Sequence, residues 1–417
     1  MREEVTSGAR ARPSVGVRLY HGLWIAVALV GWGVFIHDTF PVRDLLMIDF
    51  TQYYDAARAV AADASPYRVE ARQHSPAAFL LPPVFAIALR PLAALPVDVA
   101  NDVWFVLSLM FLAAGCVATV RLVGLARWLS PLSMAMSAVF ISAVLLLPVW
   151  TGARLGQITA LLFCLSVGGL ALQQANRPVL GGVLLGIAIA FKLYPGALAA
   201  FAIWVGWRRF GYMAIIVAVT LHAVSAISYW AIFAEYWSST LFQIPDHSYA
   251  VNLSLMGMAG RAPAESGLML RTLAFLLSGL MMLLPFLATW REHDGRSVSL
   301  ALSLLIAATV TAAPLVEHHY MIWLIVPIWI VAAALGERQD VVGLVLLGGA
   351  FVLLSQPYRL VRGVLAMTAA QGDSERLGEG VLVAGGLLIY GLVAAEVLRH
   401  RRDRSTRRRA APVPLVP

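Results

Sequence analysis

"VLGGVLLGIAIAFKLYPGALAAFAIWVG", residues 179–206, is apolar throughout and carries one interruption, the "KLYPG" at 192–196. A bilayer crossing takes about 20 residues. The run is too long for one straight crossing and too short for two. Arg177 precedes it, and Arg208 and Arg209 follow it. Arginine in short loops marks the cytoplasmic side of a membrane protein, so both ends of the run belong on that side. The spacing therefore predicts a broken or re-entrant pair of short helices that turns at "KLYPG". Irregular backbone at membrane depth is tolerated only where it is buried in protein or lines a wet cavity. The turn points to a cavity, and its apex carries Lys192, the only lysine in the chain.

The rest of the sequence agrees with a membrane setting. Only 13% of the 417 residues are charged and 60% are hydrophobic, against about a quarter charged in a soluble domain. This predicts an all-α polytopic integral membrane protein. Further spans are expected at 18–37, 100–122, 131–150, 156–174, 210–233, 267–290, 297–313, 320–335, 341–355 and 380–399. The first follows Arg10, Arg12 and Arg18 and lacks a small-residue cleavage site, so it reads as a retained helix. Arginine clusters place 38–99, 151–155, 234–266, 314–319 and 356–379 outside and both termini inside. The organisation is a tail at 1–17, one membrane domain at 18–399 and a basic tail at 400–417. That tail, "RHRRDRSTRRR", reads as a topology signal and a contact for anionic lipid rather than for nucleic acid. Residues 77–96, "AAFLLPPVFAIALRPLAALP", hold Pro82, Pro83, Pro91 and Arg90; as a span they would invert every later loop, so they read as a half-inserted outer segment. Cys116 and Cys164 read as small buried hydrophobes.

Charged groups in or beside spans are functional candidates. A lysine at the apex of the broken pair can meet a phosphate or carboxylate as a compact point charge. Asp49 opens "DFTQYYDAARAVAADASPY" just after the first span. With Gln52 three residues on it fits a capping box, before a helix expected to lie on the outer surface with Tyr53, Ala57 and Val60 on one face. A capping role and a general-base role are compatible, because a carboxylate at a helix N-terminus stays ionised. Asp55 beside Arg58 reads as a solvated-face residue, and Asp44 is a second candidate base. Other outer segments supply Arg154 and Gln157 ("TGARLGQ"); His247, Asn252, Ser254 and Arg261 ("DHSYAVNLSLMGMAGR"); Glu317, His318, His319 and Tyr320 ("PLVEHHY"); and Arg359 and Arg362 ("QPYRLVRG"). The Glu-His-His triplet invites a zinc reading, but adjacent residues on a helix do not share a face and no HExxH spacing is present. Each group alone fits an ordinary interfacial residue. Together, cations and donors on one side beside an acid suit a phosphate-bearing ligand.

At these residues the sequence resembles a known family. "DFTQYYDAARAVAADASPY" looks like the first outer loop of the polyprenyl-phosphate-sugar-dependent glycosyltransferases with the GT-C fold. The closer match is glycosyltransferase family 87, the alpha-mannosyltransferase-like group. "LPPVFAIALRPLAALP", "GARLGQITALLFCL", "NRPVLGGVLLGIAIAFKLYPGAL" with "WRRF", "NLSLMGMAGR" and "EHHYMIWLIVP" fit it in order, from about residue 45 to 335. The resemblance implies a GT-C-like bundle of about 10–12 transmembrane helices in the bacterial inner (cytoplasmic) membrane, its active site facing the periplasm or exterior. It implies transfer of a hexose, mannose first, from a polyprenyl-phosphate-sugar donor to a lipid or glycan acceptor, with inversion. Asp49 then falls on the catalytic base; Lys192, Arg261, His318 and His319 would hold the donor phosphate; Tyr53, Tyr54, Arg154, Gln157 and Asn252 would line the sugar or acceptor side. No Asp-x-Asp motif is present in an outer loop, so metal independence and no cofactor are expected. Partners are the donor, the acceptor and membrane lipids, with no nucleic acid. A transporter or flippase for a lipid-linked or phosphorylated sugar would use the same cations and broken helices, although no internal repeat is evident. A non-enzymatic subunit of an envelope-assembly complex is a third reading.

Overall fold

The computed structural model describes residues 15–40, 47–68, 74, 78–125, 132–243, 252–290, 293–355 and 371–410. Asp44, His247, Arg359 and Arg362 fall outside them. Among the described residues there is no β-strand, and seven helices are long and apolar enough to cross a membrane; four shorter apolar helices accompany them. The protein is an all-α polytopic membrane protein.

The first long helix is α1 (Val15–Thr39). The loop that follows carries α2 (Ile48–Ala61), α3 (Pro83–Ala88) and α4 (Arg90–Ala93). Prolines at the first turns of α3 and α4 start these helices cheaply, since the missing N–H is unpaired there anyway. Neither is long enough to cross, so the described residues 78–96 do not form a span. Next come α5 (Val97–Val123), α6 (Leu132–Leu145), α7 (Leu147–Leu155) and α8 (Thr159–Gln174). The apolar run at 179–206 splits into α9 (Pro178–Phe191) and α10 (Gly196–Trp204), and α11 (Arg208–Ser228) follows.

The pair α9–α10 turns back on itself, and small residues show how. A Cβ on Gly182, near the start of α9, would stand 2.6 Å from the Phe210 carbonyl at the start of α11. A Cβ on Gly211 would stand 2.9 Å from the Ala199 carbonyl in α10 and press on Ile203. The beginning of α9 and the end of α10 thus meet the same turn of α11. Close backbone approach through small residues is the usual means of packing membrane helices. Lys192 breaks the hairpin by taking extended dihedrals (φ −157°, ψ 129°), and Pro195 precedes the restart.

The second half holds α12 (Trp230–Ser238), α13 (Leu255–Gly260), α14 (Ala264–Ala288) and α15 (Gly295–Ala312). A 3₁₀ turn, His318–Leu324, leads into α16 (Ile325–Glu337), then α17 (Val341–Leu354) and α18 (Gln371–Ala410). The basic tail is therefore helical through Ala410, continuous with the last span. At this end of the bundle Asp294 caps α15, accepting from the backbone of Arg296 and Ser297, and Asp340 caps α17, accepting from Gly343. Arg404 pairs with Asp294, Arg399 with Asp340 at 2.7 Å, and Arg338 with Asp403 at 3.1 Å. The loops around Arg296 and Arg338 and the C-terminal helix, which the arginine pattern puts on one side, are tied together.

Three expectations for the first loop need correction. Asp49 does not cap α2: the helix begins at Ile48, Met47 is the N-cap, and Asp49 sits inside the first turn. Nor does α2 lie on a bare lipid surface. Phe50, Tyr53, Tyr54, Ala57 and Val60 are buried in protein, with Phe50 stacked on Trp104 of α5 at 5.4 Å and Tyr53 against Phe85 of α3 at 5.2 Å. Asp55, read as solvated beside Arg58, is only 4% exposed because both its oxygens are taken by His74, whose backbone N–H and Nδ1 each lie at 2.6 Å.

Candidate active site

Three chain breaks converge at the end of the bundle opposite the arginine network: the start of α2, the α7–α8 turn and the apex of α9–α10. Between them and the 313–320 segment lies a cavity of about 540 Å³. The α7–α8 turn owes its closeness to Gly156, which adopts φ +68° and whose Cβ, if present, would strike Phe50 Cβ at 2.6 Å. Trp104 Nε1 donates to its carbonyl at 2.7 Å. Gln157, the next residue, is thereby aimed at α2. Its Nε2 donates to Asp49 Oδ2 at 2.6 Å, and its Oε1 accepts from the Tyr53 hydroxyl at 2.9 Å. The amide orientation follows from its partners, since a carboxylate only accepts.

Asp49 is thus held by one strong hydrogen bond while its carboxylate lines the cavity. Burial pushes its carboxyl above the ordinary 3.8; nearby Glu317 adds to this, while His319, Gln157 and Lys192 pull the other way. A carboxylate raised in this manner is a stronger base than a solvated one.

Lys192 also lines the cavity, and its Nζ lies 4.1 Å above the ring of Tyr320. Tyr320 in turn stacks on Tyr194 at 5.5 Å. The ring face attracts the ammonium but accepts no proton and carries no full charge. Glu317 lies beside it, with His319 Nε2 at 3.2 Å from Glu317 Oε2. Burial would raise the Glu317 carboxyl, but His319, Lys192 and His318 together bring it down to about 2. Glu317 is therefore a fixed negative charge and Asp49 a basic one. Leu80, Leu81, Leu193, Leu241, Pro314 and Leu315 give the cavity an apolar flank.

Of the residues expected from sequence, Asp49, Tyr53, Gln157 and Lys192 line this cavity. His319 stands behind Glu317 and is 3% exposed at its side chain. His318 follows in the same turn, without lining the cavity. Four others lie off it. Tyr54 donates to the Leu95 carbonyl at 2.8 Å. Asn252 is fully buried, donating to the Pro314 carbonyl at 2.9 Å and accepting from Ser254 and Val316 backbone N–H groups at 3.1 Å each. Its amide sutures the segment that presents Glu317. Arg261 donates to the Asn252 carbonyl at 2.8 Å and braces the same suture. Arg154, on α7, does not line the cavity. Glu317, Tyr320, Tyr194 and Gln52 face the cavity and were not expected as site residues. Glu317 could have been found as a lone acid in an apolar stretch. Among the described residues, no three His, Cys, Asp or Glu side chains converge.

The family model for glycosyltransferase family 87 matches residues 79–317. That range includes Gln157, Lys192 and Glu317 and begins after α2. The chain is also similar to the polyprenol-phosphate-mannose-dependent alpha-(1-2)-phosphatidylinositol mannoside mannosyltransferase of Mycobacterium tuberculosis. The two are 26% identical over 371 residues, 82% of this chain and 84% of the relative. Likewise it is 26% identical over 361 residues to the enzyme of that name from Mycolicibacterium smegmatis, covering 80% of this chain and 79% of the relative.

Proposed function

Because the chain belongs to glycosyltransferase family 87, we propose that it transfers mannose from a polyprenyl-phosphate-mannose donor to a lipid-anchored glycan acceptor, such as a phosphatidylinositol mannoside. The relatives' names motivate the donor and the acceptor. The reaction runs on the outer face of a bacterial cytoplasmic membrane, with both termini inside. The family is one of transferases, and no observation favours a transporter.

The observation that carries this reading is that Asp49 and the chain's single lysine line one largely apolar cavity. Asp49 takes the proton of an acceptor hydroxyl as that oxygen attacks the anomeric carbon. The bond from that carbon to the phosphate oxygen breaks on the far side, and configuration inverts. One base suffices for a single displacement, because no covalent intermediate forms. The leaving polyprenyl phosphate carries its own negative charge and needs a cation rather than an acid. Lys192, seated over the Tyr320 ring, meets it. Gln157 and Tyr53 hold Asp49 in orientation. Glu317 keeps His319 in place and repels a phosphate that strays toward it. The apolar flank receives the first isoprene units.

The test uses the full chain in nanodiscs, short-chain polyprenyl-phosphate mannose and a phosphatidylinositol mannoside, following release of polyprenyl phosphate. Asp49→Asn lowers kcat by about 10²–10⁴, the range for loss of a general base, while donor binding persists. Full turnover by that variant would end the assignment of the base.

A further inference from the structure

A second concavity of about 520 Å³ lies on α2 beyond the reaction cavity. Its wall includes Asp55, Arg58 and Ala59 of α2, Asp63 and Arg68 of the following turn, and Glu235 of α12. Gln52 lines the reaction cavity, and Asp55 and Ala59 lie three and seven residues on. That spacing keeps all three on one helix face. The two concavities therefore follow one another along the same side of the same rigid element. At 1.5 Å per residue, Arg58 stands about 14 Å from Asp49 along the axis, the reach of a short oligosaccharide. The partition between them is thin: Tyr236 lines the first cavity and its neighbour Glu235 lines the second.

The wall chemistry selects among ligands. Asp55 accepts from His74 through both its oxygens and shapes the wall. Arg58 is exposed, with its guanidinium 5.9 Å from the Tyr54 ring. Arg68 and Glu235 are 4.0 Å apart, with side chains 72% and 28% exposed, a pair loose enough for a hydroxyl to bridge. Three carboxylates against two guanidinium groups disfavour an anion. Guanidinium donors and a carboxylate acceptor around an alanine floor suit vicinal hydroxyls, with the C–H face of a sugar on the methyl groups.

We infer that this concavity binds the neutral sugar units of the acceptor that lie beyond the attacking one, so that the protein reads the length of the acceptor glycan. The inference rests on the transferase reading, and its test separates the two. In nanodiscs, the full chain, Arg58→Ala/Glu235→Gln and the milder Arg68→Ala are compared by two measurements. The first is binding of free α-linked mannotetraose against free mannose, which needs no turnover. The tetrasaccharide binds the parent about tenfold tighter, the scale of one hydrogen bond to a charged group, and the variants lose that margin. The second is turnover of phosphatidylinositol carrying one or four mannose units. KM for the four-unit acceptor rises about tenfold in the double variant, while the one-unit acceptor keeps its KM, which also shows that the variant is folded. Equal binding of the two free sugars, or equal loss on both acceptors, overturns the inference. If the parent consumes neither acceptor, the transferase reading falls and the binding measurement alone decides this site.

Discussion

The two ends of the bundle hold similar charges in opposite states. At the arginine end, the described acids that cap or flank a helix meet guanidinium groups: Asp294 with Arg404, Asp340 with Arg399, Glu337 with Arg296, Glu396 with both Arg338 and Arg399. At the cavity end, Lys192 faces an aromatic ring, and Asp49 is held by a neutral amide. Paired charges stabilise a fold modestly and do little else. Lys192 and Asp49 make no ion pair among the described residues, and they retain their capacity for a partner. On the proposed reading, the difference separates structural ions from reactive ones.

The strongest test of that contrast is Lys192→Met. It removes the cation proposed to meet the leaving phosphate, and kcat/KM for the donor is expected to fall by about 10²–10³, as when a donor to a developing anion is deleted. Lys192→Arg keeps the charge but not the compact point geometry, and restores activity only in part. A methionine variant with unaltered kcat/KM would make Lys192 another structural ion.

How far the cavity end could be read from sequence depends on what each residue does with its polar atoms. The re-entrant pair was legible because length, Pro195 and flanking arginines are all local features. Asp49, Gln157 and Lys192 were legible as polar groups where an apolar chain has no use for them. Asn252 and Arg261 look the same in sequence, yet the fold uses both on one backbone suture. A buried amide bonded to carbonyls differs from one offered to a ligand only in three dimensions. Asp55 was read from its neighbour Arg58, whereas its partner is His74, nineteen residues along. Glu317 was hidden in a triplet whose histidines suggested metal. The 3₁₀ turn places His319 behind it and leaves the acid facing the cavity.

Glu317 sharpens the comparison with a smaller effect. Glu317→Gln removes the carboxylate that holds His319 and costs about tenfold in kcat, the scale of one charge-assisted hydrogen bond. The pH profile carries the diagnosis. Asp49 works when ionised, so activity falls as pH drops through its raised pKa. Glu317 contributes to that rise and Lys192 opposes it. The acid limb therefore moves to lower pH in Glu317→Gln and to higher pH in Lys192→Met. Shifts in the same direction would show that the limb belongs to a different group.

The smallest effect belongs to the other end. Arg399→Ala strips one partner from Glu396 and one from Asp340, but Glu396 keeps Arg338 at 3.7 Å and Asp340 keeps the Gly343 N–H at 2.8 Å. Arg399 is itself half-exposed, where an ion pair is worth about 1 kcal/mol or less. The thermal midpoint in detergent should drop slightly, while turnover per folded molecule stays at the parent value. A loss of turnover in the folded fraction would mean that charge at the far end reaches Asp49 through α15 to α18. The division into structural and reactive ends would then fail.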